Sequence, residues 1–430
     1  MRRNSTRHKG RSEAQRGSNG VKRIICFYCL SMLIIFNAAS AWARAKVEIV
    51  KNVMGQYQLL VNGQLYFIRG VCYHPVPIGG DADYNFCGDP NRPWLLDGQM
   101  MKEAGINTVR FYQPGENIYQ TKRVITDLYK NFEISSVMGH WLDWWQADYA
   151  NPRFQELVTK EVLDMVKAYK DTPGILMWVL GNENNYSFAP QKINYWTSPG
   201  LEKIKDPYKK KMAQAKIYYS FVNKLAGKIK QLDPDHPVVL GNGDLASISM
   251  AARYNSHIDV LGSVCYRGKS FGNFWREVDR EWKKPVLLLE FGCDAYDAYK
   301  KREDQQIQAD FIKSQWKEIA ENAMGGLGFG NSLGGFLFEW CDEWWKRAGG
   351  SLSEQDTDAC WSNGAYWKDI KAENNLNMNE EWWGLVAQDQ ALVNGLNMRK
   401  PRLAYEVIQQ MFTGKKMQKE IKGTEQEKKK

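Results

Sequence analysis

The sequence predicts an α/β fold, a (β/α)8 TIM barrel, and two observations carry the prediction. Beyond residue 46, short apolar runs alternate with longer amphipathic ones eight times, the pattern of parallel strands joined by crossover helices. Runs such as ILMWVL at 175–180 and VLLL at 286–289 are apolar at every position. That suits strands covered on both faces and not a half-exposed antiparallel sheet. The chain has 430 residues, 43% hydrophobic and 25% charged, a globular composition. One barrel of ~250 residues or more, with insertions, accommodates that length.

The first segment, 1–45, reads as an export signal. Eight Lys or Arg against Glu13 occupy residues 1–23, and 24–43 carry no charge. The strongly apolar part stops near residue 36, and small-x-small sites follow at 39–41, 41–43 and 43–45, which favours a cleaved signal peptide. The rival is an uncleaved signal anchor, a membrane tether through 24–43, because a stretch of that length just spans a tilted crossing. Both place the body outside the cytoplasm, periplasmic, secreted or anchored to the outer face of the membrane. Beyond the signal stand six cysteines, Cys72, Cys87, Cys265, Cys293, Cys341 and Cys360, compatible with disulfides in an oxidising compartment. Their spacing and a total of five His match no zinc motif, so neither a metal nor a cofactor is expected.

The body, 46–414, opens with a hairpin at 47–65 turning on Asn62-Gly63, expected to cap the bottom of the barrel. Candidate strands follow at 66–72, 107–111, 134–139, 175–181, 238–241, 260–266, 286–290 and 335–340. Helical stretches lie between them, such as 154–169 with apolar Leu157, Val162, Met165 and Val166, and 213–232 with Ile217, Phe221, Leu225 and Ile229. The glycine-rich GGLGFGNSLGG at 325–335 precedes a strand, whereas a dinucleotide loop follows one, so it reads as the connection into strand eight. The loop 348–381, with Trp361 and Trp367, is long enough to wall a cleft. The tail, 415–430, is a disordered, lysine-rich end.

Charge excludes one class of partner. The net +9 includes +7 from residues 1–23, +4 from 415–430 and one from Arg44; removing these leaves −3 for the body. A nearly neutral body offers no basic surface for nucleic acid.

In such a barrel the residues just after each strand build the mouth. The fourth strand ends in WVLGNENNY, which sets Asn182 and Glu183 there, and the seventh in VLLLEFGCDAY, which sets Glu290 opposite. Paired carboxylates across one cavity are what double-displacement glycoside hydrolysis needs, one as acid and one as nucleophile ~5 to 5.5 Å away. One such Glu alone is a solvated loop residue; two at the ends of strands four and seven are not explained that way.

These stretches carry a family resemblance. The chain resembles the clan A retaining glycoside hydrolases, from NGQLYFIRGVCYHP at 62–75 to KPRLAYEVI at 400–408. It is similar in detail to the barrel domain of family two, through EAGINTVRFY at 103–112 and GNENN at 181–185. It departs from that family in lacking the β-sandwich domains that normally precede the barrel. SVCYRG at 263–268, LLLEFGCDAY at 287–296 and GGFLFEWCDEWWK at 334–346 also resemble β-1,3-glucanosyltransferases. The resemblance implies Glu183 as general acid/base and Glu290 as nucleophile. It implies Asn182 on the sugar 2-hydroxyl, Arg110 paired with the nucleophile to keep it ionised, and Tyr266 as a hydrogen-bond donor to Glu290. His74 and His140 could orient sugar hydroxyls, though a His after a strand is as often a plain loop residue. Sugars stack on indoles, and Trp141, Trp144, Trp145, Trp340, Trp344 and Trp345 crowd two strand ends; Trp340 and at least one other are expected to line the cleft. Asn185-Tyr186-Ser187 fits a glycosylation sequon, but a glycan there would block the cleft.

The expectation is therefore a retaining glycosidase or transglycosidase on a β-linked polysaccharide or oligosaccharide, β-glucan first. Its alternative is a non-catalytic carbohydrate-binding barrel at the cell envelope.

Overall fold

The computed structural model of the protein describes residues 44–346, 351–358, 361–362 and 376–415. The expected signal segment before residue 44, the side chains of Trp361 and Trp367, Cys360 and the tail beyond Lys415 lie outside the described residues. No described helix is long and apolar enough to cross a membrane.

Eight parallel strands close into a barrel: β1 (Ile68–Cys72), β2 (Thr108–Phe111), β3 (Ser135–His140), β4 (Ile175–Leu180), β5 (Val238–Gly243), β6 (Val260–Val264), β7 (Val286–Phe291) and β8 (Ser332–Leu337). Each hydrogen-bonds to the next, and β8 closes on β1. A helix follows every strand: α1 (Pro93–Glu103), α2 (Ile118–Phe132), α3 (Pro152–Tyr169), α4 (Pro207–Leu232), α5 (Ile248–Tyr254), α6 (Phe274–Glu277), α7 (Gln305–Glu321) and α8 (Leu403–Thr413). The α2, α3 and α4 helices begin on Asn117, Asn151 and Asp206, whose side chains accept from free first-turn N–H groups.

Alternation along the strands sorts two apolar layers. Val137, Met177, Val179, Val239, Leu287 and Leu289 point into the barrel; Met138, Trp178, Leu180, Val238, Leu240, Val286 and Leu288 point outward under the helices. Glycine makes room for the large inner rings. A Cβ on Gly70 of β1 would stand 2.3 Å from the ring of Phe336 on β8. In α3 the buried stripe is Val158, Val162, Met165, Val166 and Tyr169, whereas Leu157, expected on that stripe, is exposed. The helix begins two residues before the predicted start, and its phase sets Val158 inward.

The N-terminal hairpin caps the bottom as expected. Val47–Lys51, Tyr57–Val61 and Gln64–Tyr66 form an antiparallel sheet whose turn residues Asn62 and Gly63 have φ of 51° and 76°, the double left-handed turn that Asn-Gly favours. Its hydrogen bonds reach the chain just before the strands: Val47 N–H to Asp235, the Tyr57 hydroxyl to Lys283 and Tyr57 N–H to Gly330.

One expectation needs correction. Strand eight ends at Leu337 and not at Trp340. Beyond it the ladder is interrupted: Phe338 and Trp340 N–H still reach Phe291 and Cys72 of the barrel, but Glu339 N–H and the Glu339 and Trp340 carbonyls bond to Trp383, Leu385 and Val386. Among the described residues Cys72, Cys87, Cys265 and Cys341 are buried thiols, filling apolar space as small side chains do.

Leu287 is wholly buried inside the barrel. Leu287→Ala is expected to lower stability by about 2–5 kcal/mol, read from urea unfolding.

Candidate active site

The mouth is built from the residues that end the strands. Arg110 is the third residue of β2, and the two-residue period carries Arg110 and Tyr112 inward together. Glu290 follows the inward Leu289 where the β6–β7 register shifts, so it departs from the strict alternation of β7, and Tyr266 stands just past β6.

These side chains converge on Glu290, which is 6% exposed, and Arg110, which is 1% exposed. Oε1 of Glu290 accepts from Nη1 of Arg110 at 2.9 Å and from the Tyr112 hydroxyl at 2.7 Å. Oε2 accepts from the Tyr266 hydroxyl at 2.9 Å. Arg110 is itself fixed: Nη2 donates to Oδ1 of Asn182 at 2.7 Å, Nη1 to the Leu289 carbonyl at 2.9 Å, and the guanidinium lies 4.3 Å from the Tyr112 ring centre. Burial pushes both phenols well above their ordinary range, so they remain donors.

Glu183 has different surroundings. It sits on a left-handed turn, φ 58°, directly after β4, where Gly181 has φ 80°. Burial of its carboxyl, then the charge of Glu290, then that of Glu380, push its pKa up to about 8. Glu183 thus keeps its proton beside a carboxyl that a guanidinium holds, an asymmetry that suits dividing acid and nucleophile roles between the two.

The turn holding Glu183 is stitched down by asparagines. The backbone N–H of Asn182 donates to Oδ1 of Asn184 at 2.6 Å, and Nδ2 of Asn184 donates to the Trp141 carbonyl at 3.0 Å and the Tyr149 hydroxyl at 2.6 Å. Asn185 spans to the end of β5, donating to the Gly243 carbonyl at 3.0 Å and accepting from its N–H at 2.7 Å. Its amide is spent on these bonds and 2% exposed, so the sequon at 185–187 offers nothing to a glycosyl donor.

Of the sequence-predicted residues, Glu183, Glu290, Arg110, Asn182 and Tyr266 come together. His74 stands on the wall: its ring meets Trp345 edge-on at 6.1 Å, and burial lowers its pKa to about 4. His140 is turned to its own loop, its Nδ1 accepting from Leu142 N–H at 3.0 Å, with Nε2 3.8 Å from Glu161 of α3; burial lowers it to about 4 as well. Both rings are neutral near pH 7. Trp340 does not line the cleft. It has no exposed surface, and its ring packs outward, 6.3 Å from Tyr405 of α8. Alternation would point it inward with Phe338, two residues earlier, but the strand ladder is interrupted at Glu339 and Trp340 faces out. Trp141 takes the aromatic role, half-buried and stacked on Tyr112 at 5.2 Å and 13°.

Sequence reasoning missed Tyr112, Asn184 and Asn185 as parts of the site. The signal for Tyr112 was its spacing of two from Arg110. Nothing local marks the two asparagines, whose side-chain N–H groups donate to residues 35 to 61 positions away.

The profile of the glycosyl hydrolases family 2, TIM barrel domain, matches residues 52–409. The chain belongs to this family. Among solved structures it is similar to a β-galacturonidase from Eisenbergiella tayi, bound to galacturonate, with a TM-score of 0.55 at 16% identity, over 86% of this chain and 54% of that one. A Bacteroides uniformis β-glucuronidase also gives 0.55, at 13% identity over 85% of this chain and 37% of that one. A curated relative from Formosa agariphila, named for β-glucuronidase activity, is 28% identical over 141 residues, 31% of this chain and 12% of that protein. The chain thus spans about half or less of these relatives. At such identity the structural likeness shows the fold. The resemblance to β-1,3-glucanosyltransferases rests on the local stretches quoted above.

A Cβ on Gly181 would fall 2.5 Å from Oδ1 of Asn184 and 2.8 Å from the Tyr218 hydroxyl, at a φ that L-residues avoid. Gly181→Ala is expected to destabilise by about 1–3 kcal/mol, measured by urea unfolding, and to lower turnover by displacing Glu183.

Proposed function

We propose that the protein is a retaining β-glycosidase acting on a β-linked oligosaccharide or polysaccharide by double displacement. The observation that carries this reading is the unequal treatment of two carboxyls at one barrel mouth. Glu290 is aligned by Arg110, Tyr112 and Tyr266 through three short hydrogen bonds, while Glu183 holds its proton up to about pH 8.

In the first step Glu183 protonates the glycosidic oxygen as Glu290 attacks the anomeric carbon. The glycosidic bond breaks and a glycosyl ester of Glu290 forms. In the second step Glu183, now a carboxylate, takes a proton from water or from a sugar hydroxyl; that oxygen attacks the anomeric carbon and the ester bond breaks. Asn182, held by Arg110, is placed to bond the sugar 2-hydroxyl, a contact that strengthens as the oxocarbenium-like transition state develops. The Trp141 and Tyr112 rings offer a stacking surface beside the nucleophile. Acceptor choice, water or sugar, is read from products: oligosaccharides longer than a β-glucan starting material, seen by mass spectrometry, mark transfer.

Glu290→Gln is expected to cut turnover at least about a thousandfold, with circular dichroism unchanged. At Glu183→Ala, azide should restore turnover on an aryl glycoside with a good leaving group. An unaffected Glu290→Gln would favour the non-catalytic binding barrel. The raised pKa of Glu183 sets the alkaline limb. Its acid form is lost as pH rises through about 8, so kcat/KM should fall about tenfold per unit above that pH.

A further inference from the structure

Beyond β8 the wall carries a second charged cluster that the two-carboxylate mechanism does not use. Nζ of Lys346 lies 3.1 Å from Oε2 of Glu343 and 3.5 Å from Oε2 of Glu380. It also stands 5.6 Å from the Phe338 ring centre and 5.0 Å from that of Trp345. The cluster borders the catalytic pair on both sides. Phe338 packs edge-on against Tyr266 at 6.4 Å, the phenol that donates to Glu290, and Glu380 is near enough to raise Glu183. Glu339 completes it, 3% exposed, with Oε1 unpaired among the described residues.

We infer that the mouth selects a β-glycoside whose reacting sugar is a neutral hexose and discriminates against a uronate, through the carboxylates of Glu343 and Glu380 around Lys346. The inference rests on the retaining-glycosidase reading and narrows its substrate. A uronate carboxylate needs a cation to replace its water, and among the described residues the cations of this wall are already committed. Arg110 is paired with Glu290 at 2.9 Å, Arg267 with Asp244 at 2.7 Å, and Lys346 faces two carboxylates. His74 and His140 are neutral, held near 4 by burial. Lys192 is exposed at the rim, over the Tyr186 ring at 5.4 Å, where water screens it. Burial and then the charge of Glu343 push Glu339 well above the usual carboxylate range, so it keeps a proton. With the Lys346 ammonium already held between Glu343 and Glu380, the wall offers an incoming carboxylate no uncommitted positive charge to replace its lost water. Neutral sugar hydroxyls carry no charge and meet no such cost.

The test compares covalent trapping of the full-length protein by 2-deoxy-2-fluoro-β-glycosyl fluorides of glucose and galactose with trapping by their 6-carboxylate counterparts. Intact mass follows the rate and peptide mapping the site. In each, Glu290 attacks the anomeric carbon, the C–F bond breaks and fluoride leaves, so a persistent ester marks the nucleophile. The neutral reagents should label Glu290 at least about tenfold faster than the uronyl ones. Equal or faster uronyl labelling overturns the inference and leaves the retaining reading standing; labelling by neither series overturns both. Glu343→Gln and Glu380→Gln, tested separately in case one misfolds, should each narrow the ratio about tenfold. An unchanged ratio in a folded variant removes the discrimination from this cluster.

Discussion

A carboxylate buried at the end of a barrel strand needs a counter-charge, and the pairing of Glu290 with Arg110 is the constraint on which the mouth is organised. With Arg110 at 1% and Glu290 at 6% exposure, both lose most of their water, a cost that attraction offsets only where hydrogen bonds also hold the charged groups; among the described residues Arg110 Nε is left without a partner. The hydrogen bonds use four strands: Arg110 and Tyr112 from β2, Asn182 after β4, Tyr266 after β6 and the Leu289 carbonyl of β7. Only a closed barrel brings those ends around one point. The pair is therefore a requirement of the site more than a source of stability.

The same pair shapes its neighbour. Glu183 lies close enough to feel the Glu290 charge but receives no guanidinium bond of its own, and burial then favours its neutral form. Keeping it there needs a left-handed residue after a tight glycine turn, a conformation of order 1 kcal/mol above the ordinary. Asn184 and Asn185 hold that turn by bonding to the ends of neighbouring strands. Local strain and long-range hydrogen bonds are thus two parts of one device.

The wall beyond β8 follows from hydrogen bonding more than from hydrophobic pattern. Once the chain leaves the barrel at Leu337, its backbone pairs with Trp383–Val386, which folds the later segment back over the mouth and brings Glu380 beside Lys346 and Glu183. Charges more than 30 residues apart in the chain thereby share one electrostatic environment.

How much was legible in the sequence depends on the range of the interaction. Periodicity is a local property, so the eight strands, their helices and the Asn62-Gly63 turn could be read from neighbouring residues alone, as could the placing of Glu183 and Glu290 after strands four and seven. The family motifs added Arg110, Asn182 and Tyr266. Direction of a side chain after a strand is not local, and there the reading failed: Trp340 stands just past an apolar strand, yet the ladder is interrupted at Glu339, and its ring turned to α8. Tyr112, Asn184 and Asn185 carried no mark of their partners. Sequence by itself determined the barrel and the two carboxyls, because strand and helix periods report burial residue by residue. Only the tertiary structure decided which donors hold Glu290, why Glu183 keeps its proton and what charge surrounds them, because those depend on groups that chain closure alone brings within hydrogen-bonding distance.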